Sequence, residues 1–210
     1  MRFFAETCHP EGPLTVPLGQ VATLRAGYPF RAGIPHDPKG RIAVIQGRDV
    51  SPDRLCISLE GEALTRIDGG RIRNLADHLL HPGDVILMAR GPRNYAVMVG
   101  ETISGEILVT GSFHVVRPNE QRLTPEFLAW LLNQESSQSF MRANNSGTII
   151  PMISLDVLRS LPVLLPPLEV QHQVASLNRL IEQEHTLMNQ LASTRRELLR
   201  GWANHQASHV

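Results

Sequence analysis

The chain has 210 residues, a length for one domain or for one domain plus an extended element. Hydrophobic residues make up 42%, enough for a real core, and the 20 basic side chains balance the 20 acidic ones, so no global basicity advertises a nucleic-acid partner. Cys8 and Cys56 lie far apart in no CxxC arrangement, the start lacks the apolar run of a signal peptide, and no window is apolar enough to span a membrane. Together these features lead us to expect a soluble, cytoplasmic protein with reduced thiols. Every basic residue but Lys39 is arginine. Base composition of the genome explains that bias, yet arginine also suits bidentate contacts to phosphate and guanine better than lysine does.

From Leu14 to about Arg117 the pattern is of short strands punctuated by Gly and Pro. The spacing predicts a first strand over Val16–Leu24, then a turn-rich stretch that includes Tyr28-Pro29-Phe30-Arg31. Ile42–Gln46 and Val85–Ala89 are compact apolar runs that read as buried strands. Asp49–Arg54 reads as a turn, Leu55–Leu64 as an extended piece, and Leu80-His81-Pro82-Gly83-Asp84 as the turn leading into the second buried run. Gly91-Pro92-Arg93-Asn94 breaks that run and Tyr95–Val99 resumes it, with Ile107–Thr110 and Phe113–Val116 as two further strands. Thr124-Pro125-Glu126-Phe127 opens a helix to about Glu135, with a Thr cap, Pro in the first turn and an early acid; Ser136–Met141 can continue it. Thr148–Ile153 reads as extended, Ser154–Leu158 as a short capped helix and Leu161–Leu165 as a last strand.

The end of the chain is different. From Pro166 to Trp202 there is neither an internal Pro past Pro167 nor a Gly before Gly201, and apolar residues recur at Val170, Val174, Leu177, Ile181, Met188, Leu191, Leu198 and Trp202. Glu184 and Arg195 occupy the two remaining steps of this alternating four-and-three spacing. A seven-residue period marks a helix that packs lengthwise on another long helix. Roughly 35 residues give a rod about 50 Å long, more seam than a small domain buries, so a partner helix is expected. The competing reading is an amphipathic helix folded on its own domain. Residues 1–165 are expected to form a globular domain, 166–203 the helix, and 204–210 a frayed tail. The fold class expected is α+β: a curled, mostly antiparallel β domain with a few short helices, followed by one long coiled-coil-type helix.

Catalytic motifs are missing: there is no phosphate loop, no nucleophile elbow and no HExxH helix. His78 and His81 could share a face with Asp77 and hold a metal, but a surface turn before Pro82-Gly83 is the simpler reading. No catalytic role follows, and we expect no cofactor in the chain itself. Three loops stand out as contact surfaces: Tyr28-Pro29-Phe30-Arg31, Gln46-Gly47-Arg48-Asp49 and Arg90-Gly91-Pro92-Arg93-Asn94-Tyr95. Rigid scaffolds carry function on such loops. Arginine pairs with guanine edges and phosphates, and Asn and Gln pair with adenine edges. Solvated turns without a binding role are the alternative for each.

The ordered series of segments resembles the specificity subunits of type I restriction–modification systems. Leu24-Arg25-Ala26-Gly27-Tyr28-Pro29 looks like the loop that opens a target recognition domain, and Ile45-Gln46-Gly47-Arg48-Asp49-Val50 like the family's apolar strand ending in Asp-Val. Leu80-His81-Pro82-Gly83-Asp84-Val85-Ile86-Leu87 is similar to its Pro-Gly-Asp turn and strand, and Gly147-Thr148-Ile149-Ile150-Pro151-Met152-Ile153-Ser154 to a later Gly-Thr segment. Leu161–Gln171, with Pro166-Pro167-Leu168-Glu169-Val170-Gln171, resembles the entry to the family's long helix, although Val170 stands where a Glu is usual. The sequence carries one recognition domain and one such helix where a standard subunit has two of each, so it is similar to half a subunit.

The resemblance implies a recognition domain that reads one half of a split DNA site, and helices that set the spacing between halves. It also implies a separate methyltransferase subunit that uses S-adenosylmethionine to modify adenine, and a restriction subunit as a further partner. With the periodicity, it leads us to expect a non-catalytic DNA reader that pairs antiparallel through its helix, with an identical chain or another half-subunit, and reads an interrupted palindrome. Arg31, Arg48, Arg90 and Arg93 are the expected phosphate or base contacts, Gln46, Asn94 and Tyr95 the expected base readers, and Tyr28, Phe30 and Thr148 complete the set. Val174, Leu177, Ile181, Met188, Leu191 and Leu198 are the expected seam, with Glu184 and Arg195 meeting across the pair near Met188–Leu191 to fix its register. A scaffold that uses the helix only to hold a partner protein, without reading DNA, is the rival.

Overall fold

The computed structural model describes residues 14–31, 33–50, 56–57, 64–91, 94–100, 105–145 and 151–207. The chain divides into two units, Met1–His172 and Gln173–Val210.

The first unit is built on the two apolar runs. β3 (Ile42–Ile45) and β6 (Val85–Met88) are buried at every position, because both faces of each strand are covered. β6 lies inside a five-stranded sheet of order β2-β9-β6-β7-β4, with β2 Ala22–Ala26, β9 Phe113–Pro118, β7 Ala96–Val99 and β4 Cys56–Ile57. β3 is the middle of a three-stranded sheet between β5 (Thr65–Ile67) and β8 (Glu106–Val109). The remaining pair joins β1 (Leu14–Pro17) to β10 (Pro162–Leu165). Pairing is antiparallel except for β3 with β8 and β4 with β7. The two larger sheets share a core that includes Ile45, Ile86, Val97, Ile107, Val109 and Phe113.

The expected first strand divides in two. Leu18–Gln20 forms a tight helical turn between β1 and β2, with Leu18 fully buried and its N–H donating to Leu161 O at 2.9 Å. The division lets one stretch serve two sheets, since β1 pairs with β10 and β2 with β9. β5 is too short, at three residues, to announce itself by alternation, although Thr65 and Ile67 point inward and Arg66 outward.

Helix α1 (Leu75–His78) precedes the Pro-Gly-Asp turn. Helix α2 (Pro125–Asn133) starts at the expected cap, with Thr124 Oγ1 accepting from Phe127 N at 3.4 Å, and it buries Phe127, Leu128, Leu131 and Leu132. Asn133 closes it onto the sheet: its Oδ1 accepts from Ala96 N at 2.9 Å and its Nδ2 donates to Ala96 O at 2.7 Å. Ser136–Met141 belongs to a separate helix, α3 (Glu135–Ala143), because Gln134 leaves the helical region with ψ 150°. Helix α4 (Leu155–Ser160) is capped by Ser154, whose Oγ accepts from Val157 N at 3.2 Å.

Helix α5 (Leu168–Ala207) has 40 residues and runs through Gly201, past the end expected near Trp202. It supplies all the described structure of the second unit. Its apolar residues are open to solvent: Leu177, Ile181, Met188, Leu191, Leu198 and Trp202 are each at least 42% exposed, and Val174 is half-buried. No described helix is long and apolar enough to cross a membrane.

Candidate nucleic-acid interface

The strand directions bring the expected loops to one rim of the first unit. β3 and β8 run parallel and end together at Ile45 and Val109. Met88, the last residue of β6, faces Phe113 at the start of β9, and the end of β2 faces His114. The loops after β2, β3, β6 and β8 and the loop before β7 therefore emerge on one side. Backbone hydrogen bonds tie them together: Tyr28 N donates to Val109 O at 2.8 Å, Thr110 N to Ile45 O at 3.1 Å and Ala89 N to Ser112 O at 2.8 Å. Gly27 makes the closest approach, since a Cβ there would fall 2.1 Å from Thr110 O. The segment Pro151–Ile153 joins the same rim through Gly91 N to Pro151 O at 3.1 Å and Ile153 N to Ala89 O at 2.9 Å.

Arg48 and Arg90 are exposed on this rim, and Arg31, three residues past Tyr28 in the loop after β2, is exposed as well. Arg48 Nη2 donates to Thr65 Oγ1 at 3.0 Å and its Nε lies 3.5 Å from Asp49 Oδ1. Gln46 Nε2 donates to the same Thr65 oxygen at 2.8 Å, and Gln46 N donates to Asp49 Oδ2 at 2.8 Å. Arg90 Nη2 rests 3.6 Å from Met152 Sδ, across an isolated bridge between the two residues. Tyr28 and Phe30 stack edge to face at 4.9 Å; Tyr28 also meets the His78 ring at 5.1 Å, and Phe30 packs on the cluster of Ile42, Val44, Ile67 and Leu108.

Two of the expected readers are turned inward. Asn94 is only 5% exposed and its Nδ2 donates to Met88 O at 2.8 Å, so its amide splices the interrupted strand. Tyr95 packs against the core, with its hydroxyl donating to Val50 O at 3.1 Å; burial raises its pKa and keeps that donor protonated. Arg93 and Thr148 lie outside the described residues. Among the described residues no group of three or more His, Cys, Asp or Glu could hold a metal, and the His78–Asp77–His81 idea finds no support.

Residues that carried no signal as site builders hold the rim in place. Thr65, 8% exposed, is the shared acceptor under Gln46 and Arg48. His114, 4% exposed, sits 2.7 Å from Ile153 O through Nε2. A carbonyl only accepts, so Nε2 carries the proton. Burial lowers the His114 pKa against the opposing pull of that carbonyl, which favours the neutral ring.

At the opposite end of β6, Asp84 accepts from Arg117 Nε at 2.7 Å and Nη2 at 2.9 Å, and from His81 N at 2.9 Å. The hydrogen bond to Asp84 raises the Arg117 pKa, whereas burial lowers that of neighbouring Arg25, which donates to Leu79 O at 2.9 Å. The Pro-Gly-Asp turn was visible in the sequence; its ion partner was not.

A family model for the type I restriction modification DNA specificity domain matches residues 14–193. The fold is similar to a chain in a structure of the type I R-M system, with a TM-score of 0.65 at 20% identity over 94% of this chain and 45% of that one. It is also similar to the HsdS subunit from Thermoanaerobacter tengcongensis, with TM-score 0.58, 20% identity and coverage of 91% and 46%. A third likeness is the type I S subunit from M. genitalium, with TM-score 0.54, 13% identity and coverage of 82% and 39%. The chain thus spans less than half the length of each of these proteins. No characterised protein sequence matches it significantly. A mixed α+β domain with a long final helix, the match over most of the chain and the shared fold lead to one assignment: the chain belongs to the type I restriction modification DNA specificity family.

Proposed function

We propose that this chain is the DNA-reading component of a type I restriction–modification assembly and that its rim of loops contacts the duplex. What supports the reading is that the loops after β2, β3 and β6, which carry the exposed Arg31, Arg48 and Arg90, start from one edge of two packed sheets. An overall charge of zero does not oppose it, because the cations are local. The chain supplies recognition and no chemistry of its own. A methyltransferase subunit carrying S-adenosylmethionine modifies adenine, and a restriction subunit completes the complex.

The long helix completes the proposal. The exposed Leu177, Ile181, Met188, Leu191 and Leu198 are a seam that a second helix covers, from an identical chain or another half-subunit. Antiparallel pairing puts two readers in two-fold register, with Glu184 and Arg195 meeting across the seam.

Replacing Arg31, Arg48 and Arg90 together by Ala should weaken binding to the target duplex. For every phosphate that thereby loses its arginine, the slope of log K against log salt should flatten by roughly 0.9. Gel-shift titrations at several salt concentrations, with and without the methyltransferase subunit, read this directly. Unchanged slope and affinity would remove the rim from the interface, and a wild-type chain with no sequence preference in either setting would favour the scaffold reading. For the seam, Leu177→Asp with Met188→Asp should convert a dimer to monomer in sedimentation equilibrium, because each chain would bring two carboxylates into an apolar interface. A wild-type chain that sediments as a monomer rules out self-pairing.

A further inference from the structure

The guanidinium of Arg48 is held before any ligand arrives. Its Nε and Nη2 edge faces inward, with Nη2 3.0 Å from Thr65 Oγ1 and Nε 3.5 Å from Asp49 Oδ1. Both partners are themselves fixed: Thr65 is buried in β5 and also accepts from Gln46 Nε2, and Asp49 accepts from Gln46 N. Yet the Arg48 side chain is 70% exposed. What remains available is the other edge, Nη1 with the outer N–H of Nη2, and no described residue hydrogen-bonds to it. Beside it Gly47 is exposed, and a Cβ there would press on Met88 Cε at 3.2 Å.

Phosphate oxygens also accept both N–H groups of such a fork, so what marks a base contact is a loss confined to one position of the target. A fork oriented by these two contacts suits a ligand that offers two acceptors side by side. The guanine edge in the major groove offers such a pair, O6 and N7, and no other base edge offers two acceptors together there. Fixing the fork beforehand removes rotamer freedom that binding would otherwise have to freeze. We propose that Arg48, oriented by Thr65 and Asp49, reads a guanine through O6 and N7 and so fixes one G·C pair of the target. The assignment rests on the reading that this rim meets DNA; Thr65 is a positioning residue in it and touches no base.

The test is selection of duplexes from a randomised pool by the full chain, alone and with the methyltransferase subunit, followed by sequencing. Wild type should enrich a site with at least one invariant G·C pair. Arg48→Lys keeps the charge and loses the fork, and should lower discrimination at that pair by roughly 5- to 100-fold while the other positions stay specified. Thr65→Val should relax the same position, and Thr65→Ser, which keeps the hydroxyl, should restore it. If Thr65→Val does not fold by circular dichroism, Arg48→Lys at its exposed position decides alone. Arg48→Lys weakening all duplexes equally would make Arg48 a phosphate contact and overturn the assignment. So would an enriched site identical to that of wild type. If wild type enriches no sequence in either setting, the DNA-reading function itself fails, and the guanine assignment with it.

Discussion

Asp84→Ala should destabilise the first unit by about 3 kcal/mol, near the lower end for breaking a buried ion pair by removing one partner. The carboxylate is 1% exposed and accepts three hydrogen bonds, two from Arg117 and one from His81 N. Its loss strips Arg117 of its hydrogen-bonded counter-charge and leaves Arg25 with Asp77 in place of two attracting carboxylates. Arg117 is 46% exposed and can swing into water, which limits the cost; Arg25, whose Nη1 is buried without a partner among the described residues, has less room to do so. Asp84→Asn keeps an acceptor for His81 N and should cost less than Ala. Urea denaturation of the three proteins checks the order, and equal midpoints would show that the ion pair contributes nothing. Asp84 lies at the end of β6 away from the rim, so the folded fraction of each variant should keep its DNA affinity. A loss of affinity that outruns the loss of folded protein would contradict the separation between this anchor and the proposed interface.

The sequence made some of this legible and hid the rest for physical reasons. β3 and β6 were readable because strands covered on both faces are continuous apolar runs bounded by turn residues. The start of α2 was readable because Thr124 and Pro125 are local signals that need no tertiary context. The three loops stood out for the same reason, as Gly and Pro beside Arg. Their convergence did not, since it depends on β3 pairing parallel with β8 and on β9 doubling back beside β6. Asn94 and Tyr95 show the limit most clearly. Their polar groups looked like readers, but which way a loop side chain turns depends on what lies beneath it, here Met88 O and Val50 O. Thr65 is the converse: an ordinary residue in a three-residue strand becomes the seat of Arg48 only when β5 pairs with β3. In the long helix the period gave the exposed apolar stripe, and nothing in a single chain's sequence names the partner proposed to cover it.

Gln171, the last residue of the Pro-Pro-Leu-Glu-Val-Gln junction, should prove nearly as sensitive as Asp84. Its side chain is fully buried, accepting from Thr124 N at 2.9 Å and donating to Arg122 O at 2.8 Å and Pro166 O at 2.9 Å. One amide thus satisfies the residue that caps α2, the chain just before it and the proline that admits α5. Gln171→Leu fills the space and leaves one N–H and two carbonyls without partners, at about 1 kcal/mol each, so a loss of about 3 kcal/mol is expected. Gln171→Glu keeps the acceptor for Thr124 N but sets a carboxylate against two carbonyl oxygens. Burial should raise the folded-state pKa of that carboxyl above its unfolded value, because the protonated form can donate to one carbonyl. The variant should therefore be least unstable below the unfolded pKa and lose stability as pH rises toward the raised folded value. Urea midpoints across pH check this, and a pH-independent deficit would contradict it. The seam from Leu177 onward should be indifferent to both changes, since Gln171 belongs to the first unit. Sedimentation of folded Gln171→Leu should match wild type. A loss of self-association there would mean that helix pairing depends on this junction rather than on the apolar period alone.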